Sequence, residues 1–234
     1  MSRATPRQPA AASEPRVRRG YFECRYGQLH VHNAIPPGGG FEEATPLICL
    51  PGAPGSGRAF GPLLGLIGRD RSVYAPDLPG YGESDAPAHT VPVADYAAAI
   101  GDFLDSMRLR VVDVLGQGTG AVVAAELAVS RGAKVRRVVL LSVPLAAAGS
   151  HAGAAVSGGP LAAAVMQYPL RERLARLTQP VLVLRPRDEW WESASALRSA
   201  LPAARVLDLS DLGADLLQAA PGRVAEAVQG FLRA

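Results

Sequence analysis

Long hydrophobic runs are missing from this chain. Hydrophobic residues make up 48 % of it, yet no apolar stretch reaches the roughly 18 residues that a membrane-spanning helix needs, so no membrane is expected as a partner. The N-terminus carries no apolar h-region of the kind that marks a secretory signal. Cysteine is scarce too. Cys24 and Cys49 are the only two, and they stand far apart in apolar, strand-like stretches, which excludes a disulfide framework and a CxxC site. A cytoplasmic protein is the expectation. His, Cys, Asp and Glu are nowhere grouped at metal-ligand spacing, so neither a metal nor a cofactor is expected. Aromatic residues, 6 % of the chain, are not interleaved with basic ones, and nucleic acid is excluded as an expected partner.

The small positive charge of +3 is a property of one end. Arg3, Arg7, Arg16, Arg18 and Arg19 stand there against Glu14 and leave the rest of the chain close to neutral. A Pro/Ala/Arg-rich tail cannot bury enough apolar surface to order itself, so residues 1–17 read as disordered. The remainder, 18–234, has the length of one sizeable domain and is short for two.

Within that domain, short apolar runs alternate with helix-period segments. "RRGYFECRYGQLHVHNAI" reads as two strands meeting at Tyr26 and Gly27, an opening hairpin. "PLICLPG", "RSVYAPD", "RVVDVLG", "VRRVVLLS", "PVLVLRP" and "ARVLDL" read as further strands. Helical patterns stand between them, among them "PVADYAAAIGDFLDSM" with Pro92 near its first turn. This alternation predicts the α/β class, a mostly parallel twisted sheet covered by helices on both faces. An Ala-, Gly- and Ser-rich stretch over 143–172 interrupts the rhythm and reads as a reduced cap insertion of loop and short helices.

The stretch "VVDVLGQGTGAVVAAELA" runs from a strand through spaced glycines into a helix. "GQGTGA" satisfies G-x-G-x-x-A, a form of the dinucleotide fingerprint. That fingerprint expects an acid at the end of the next strand, which here ends in Leu141 and Ser142. The alternative is the strand-turn-helix elbow G-x-S-x-G, with Gly116 and Gly120 as the small flanks and Gly118 at the nucleophile's place. On that alignment the chain resembles the α/β-hydrolase superfamily over about 18–234. "LPGAPGSG" (Leu50 to Gly57) resembles the family's HGxPGS oxyanion loop, and "DLPGYGESD" (Asp77 to Asp85) the loop after the following strand. "PVLVLRPRDEWW" resembles the strand ending in the triad acid, which implies that role for Asp188. "LSDLGADLLQAAPGRVAEAVQGFL" resembles the closing GHxxxxxxP segment.

The departures concern the chemistry. Gly118 stands where the resemblance implies serine, Ala214 where it implies the closing histidine, and Pro51 where it implies the histidine of the first loop. Covalent acyl transfer needs a nucleophile and a base within hydrogen-bond reach, and glycine and alanine supply neither. The resemblance still implies an oxyanion site from the backbone N–H groups of Ala53 and Thr119, with the Thr119 side chain turned elsewhere and the helix dipole favouring negative charge. Among possible substitutes, His30 and His32 read as surface or edge-strand residues, while His89 and His151 can reach over the pocket. Asp215 reads as solvent-facing or capping, Cys49 as a buried apolar cysteine, and Trp190 and Trp191 as packing residues, one of which can wall the pocket.

Two functions fit these residues. One is a pseudoenzyme that binds a small, mostly apolar ligand with a carbonyl or carboxylate, or that serves a protein partner or a second copy of itself. The other is a lyase, decarboxylase, isomerase or cyclase that uses the oxyanion donors, Asp188 and a histidine such as His89 or His151 without covalent attack.

Overall fold

The computed structural model describes residues 14–37, 39, 44–145 and 159–234. The strands are β1 (Val17–Cys24), β2 (Gly27–Ala34), β3 (Ala44–Leu50), β4 (Arg71–Pro76), β5 (Val112–Gln117), β6 (Val135–Leu141), β7 (Val181–Pro186) and β8 (Arg205–Leu209). They form one eight-stranded sheet in the order β1-β2-β4-β3-β5-β6-β7-β8. β2 pairs antiparallel with both β1 and β4, and every pairing from β4 through β8 is parallel. The expected architecture is therefore present, hairpin included. β1 starts at Val17, one residue before the expected domain boundary; of the tail expected to be disordered, 1–17, residues 1–13 lie outside the described residues.

The helices are α1 (Gly61–Ile67), α2 (Val93–Ser106), α3 (Thr119–Ser130), α4 (Pro160–Met166), α5 (Leu170–Leu174), α6 (Ala194–Ala200), α7 (Leu216–Ala219) and α8 (Pro221–Arg233). Because the central strands are apolar at both parities, each sheet face carries its own core. On one face Ile48, Val114, Val138 and Leu140 pack with Tyr96, Ile100 and Phe103 of α2 and with α3. On the other, Leu47, Leu115, Val139 and Leu141 pack with Leu63 and Leu64 of α1 and with Val224 and Val228 of α8. α3 is apolar nearly all round and buried from Thr119 to Ala128, as a helix at the centre of a layer must be.

Of the expected insertion, α4 and α5 supply the short helices, and 146–158 lie outside the described residues. α5 is tied to α3 by charge. Both Arg173 Nε and Nη2 donate to the Glu126 carboxylate at 2.7 Å, and the Tyr168 hydroxyl donates to it as well.

The turn from β5 into α3 leaves no room at its flanks. A Cβ on Gly116 would lie 2.3 Å from the Gly120 carbonyl oxygen, and one on Gly120 2.3 Å from that of Leu50. Both neighbours are backbone and cannot swing aside. Gly120→Ala is therefore expected to lower unfolding free energy by about 1–3 kcal/mol, the usual cost of overpacking, as read from urea denaturation.

Candidate functional site

Parallel strands deliver their following loops to one sheet edge, and here those loops enclose a cleft of about 370 Å³. The loop after β3 contributes Gly52 to Gly55, the elbow Gln117 to Thr119, and the segment after β6 Ser142 and Pro144. Asp188, Glu189 and Trp190 follow β7, and Ala214 follows β8. Thus Ala53, Gly118, Thr119, Asp188 and Ala214, which the sequence places in separate segments, line a single cavity.

Gly118 has φ +55° and ψ −124°, a conformation that costs an L-residue strain and glycine little. Its N–H donates to the Leu141 carbonyl at 2.9 Å, which holds the turn against β6. Space is not the constraint at this residue. A Cβ here would have the Gly52 Cα at 3.8 Å as its nearest neighbour.

Thr119 departs from expectation. Its hydroxyl turns back toward the oxyanion loop, and the Ala53 N–H donates to Thr119 Oγ1 at 2.8 Å. One of the two expected anion donors is thereby engaged within the protein. The Thr119 N–H stands in the first turn of α3, where a helix offers no internal acceptor, and keeps the favourable helix dipole behind it.

Asp188 is half-buried, and its Oδ1 accepts the Trp190 N–H at 2.9 Å. Ser142, with φ +54° at the end of β6, stands near this carboxylate. The two do not close a hydrogen bond of good geometry, for Ser142 Oγ and Asp188 Oδ2 are both buried without a partner. Burial pushes the Asp188 carboxyl above its ordinary pKa. The nearby Ser142 hydroxyl and the Trp190 N–H pull it back in part, and the like charge of Glu189 adds to the rise.

The remaining candidates fall on both sides of the cleft wall. Trp190 lines it, whereas Trp191 lies against the Arg185 guanidinium, 4.4 Å from its ring centre. His89 is exposed and is not among the residues lining the cleft, and His151 lies outside the described residues. Asp215 is exposed at the start of α7 without a capping bond. Cys49 is buried in the α1/α8-side core, where burial pushes its thiol pKa far up.

His30 and His32 are the clearest correction. β2 lies inside the sheet, between β1 and β4, so the two residues are only 1 % and 7 % exposed. His30 Nδ1 meets Asp77 Oδ2 at 3.0 Å, and the two imidazoles touch edge-on with centroids 4.7 Å apart. Burial and the neighbouring His30 push the His32 pKa down. Among the described residues, His30, His32 and Asp77 are the one such group whose ligand atoms lie within 4.8 Å of one another. The sequence reading, which expects no metal-ligand grouping, misses it. Two histidines at strand spacing facing an Asp just past a paired strand would have been its only signal. The Asp77 carboxylate is already occupied by the Gly57 N–H at 2.6 Å, the Glu83 N–H at 2.9 Å and His30, which marks a structural knot that ties two loops to β2.

A model of the alpha/beta hydrolase family matches residues 47–229. A proline iminopeptidase of Heyndrickxia coagulans is 30 % identical over 132 residues, 55 % of this chain and 44 % of that protein. An uncharacterized protein of Mycobacterium tuberculosis is 37 % identical over 71 residues, 30 % of this chain and 21 % of that one. The matches thus span less than half the length of these relatives. The crystal structure of naproxen esterase from Bacillus subtilis superposes with a TM-score of 0.74 at 20 % identity, covering 93 % of this chain and 92 % of that one. At that identity the likeness is one of fold.

Proposed function

Because the chain belongs to the alpha/beta hydrolase family, and because neither Gly118 nor Ala214 offers a nucleophile or a base to the cleft, we propose that it binds a small molecule there without serine-type hydrolysis. The observation that carries this reading is that both residues line the cavity together with Asp188. An acid with no imidazole to orient cannot run acyl transfer. The ligand has a largely apolar body, in keeping with such pockets, and a carbonyl oxygen directed at the Thr119 N–H. A carboxylate fits less well beside Asp188 and Glu189. A cytoplasmic setting is part of the same proposal.

Purified protein is expected to show no saturable turnover of short p-nitrophenyl esters above a heat-denatured control. Native mass spectrometry of gently purified protein should show a small-molecule adduct that Gly118→Leu abolishes by filling the elbow. Saturable ester hydrolysis sinks the proposal. A bare cleft with a stoichiometric protein partner, or a second copy, would instead assign the fold's role to its surface.

The half-buried carboxyl of Asp188, with its raised pKa, favours one second reading, a lyase, decarboxylase, isomerase or cyclase with Asp188 as general acid or base. Conversion of a substrate that Asp188→Asn leaves untouched would exclude it.

A further inference from the structure

We propose that the ligand of this cleft carries a protonated amine, held by the Asp188 carboxylate beside Trp190. The inference rests on the cleft being a small-molecule site and names the chemistry of what it takes.

Three features give the cavity its polarity. Its donor side is half closed: an oxyanion needs converging N–H groups, and that of Ala53 is already given to Thr119 Oγ1 at 2.8 Å. Its charge is of one sign. Asp188 and Glu189 line it, and among its described lining residues there is no lysine, arginine or histidine. Its acceptor capacity is only partly spent. A carboxylate accepts about four hydrogen bonds, and that of Asp188, which lines the cleft half-buried, takes one backbone N–H at Oδ1, while Oδ2 is shut away from solvent near the Ser142 hydroxyl.

An ammonium group answers all three at once. It brings up to three donors to a carboxylate whose Oδ1 takes a single backbone N–H, and it offsets the like-charge pressure of Glu189 on Asp188. Trp190 adds an aromatic wall, to which cations are attracted more than neutral groups or anions. Room for the head group comes from Gly118, where nothing projects, and from Ala214, whose side chain in the same lining is a single methyl. A carboxylate head group would instead meet the like charges of Asp188 and Glu189.

The test uses three probes with one body, namely cyclohexylammonium, cyclohexanecarboxylate and cyclohexanol, titrated into the full chain at neutral pH. Calorimetry gives the affinities, and the amide signals of Gly118 and Trp190 locate the binding. The expected result is that the ammonium binds at least about tenfold more tightly than either other probe. Asp188→Asn should lose at least about tenfold and Glu189→Gln a few-fold. Should Asp188→Asn fail to fold, the exposed Glu189→Gln decides, and unchanged ammonium affinity in that variant overturns the proposal. Equal or tighter binding of the carboxylate or the alcohol in the cleft also overturns it, while leaving the small-molecule reading intact. If none of the three binds, both fall.

Discussion

Installing Gly118→Ser and Ala214→His together is expected to give the protein saturable hydrolysis of p-nitrophenyl butyrate at least about 10²-fold above the unaltered chain, with neither substitution alone giving a gain. The members of such a triad act as a unit, so one without the other contributes little. The scaffold for both is present. The elbow keeps φ +55° at residue 118, and a Cβ there has no neighbour nearer than 3.8 Å, so a hydroxyl can project into the cleft at the cost of backbone strain alone. Asp188 lines the same cavity as Ala214, on the side where an imidazole at 214 would seek an acceptor for its N–H. The oxyanion site limits the gain, because Thr119 Oγ1 already takes the Ala53 N–H. Adding Thr119→Ala should therefore raise kcat further, as each freed donor in such a site is worth about 10²-fold or more. A folded double variant without turnover would mean that these two residues are not what separates the cleft from ester chemistry.

How far the sequence carries is clearest at the elbow. Gly116 and Gly120 announce a turn too tight for side chains, and the structure shows the carbonyls that forbid them. Asp188, Ala214 and the 50–57 loop are separated by many residues, yet parallel strands must place their exits at one edge, so convergence follows from topology. The orientation of a side chain does not. Thr119 is one residue past the elbow in either reading, and whether its hydroxyl faces the core or the Ala53 N–H depends on how closely the β3 exit approaches α3. Composition is equally silent about His30 and His32. Their burial follows from β2 lying between β1 and β4, a consequence of strand order that local pattern cannot contain.

That same strand order makes Asp77 the residue on which the site's stability depends, and Asp77→Ala is expected to cost about 3–5 kcal/mol, a large part of the 5–15 kcal/mol that holds a typical domain folded. Asp77 is 1 % exposed and accepts from the Gly57 N–H, the Glu83 N–H and His30. Its loss leaves two backbone donors and an imidazole without the acceptor they face, each worth about 1–3 kcal/mol when buried unpaired. The damage is directed. Gly57 closes the loop that carries Ala53, and Glu83 lies in the loop whose Ser84 hydroxyl returns to the Asp77 carbonyl. Amide exchange at Ala53 should therefore accelerate in Asp77→Asn even where the domain stays folded, since the asparagine amide turns its own donor toward one of the two N–H groups. His30→Ala provides the comparison, because it removes one partner of the knot and keeps both loop anchors. Urea denaturation should find it markedly milder than Asp77→Ala. Equal losses in the two variants would mean that the imidazole contact, and not the pair of backbone anchors, is what Asp77 contributes.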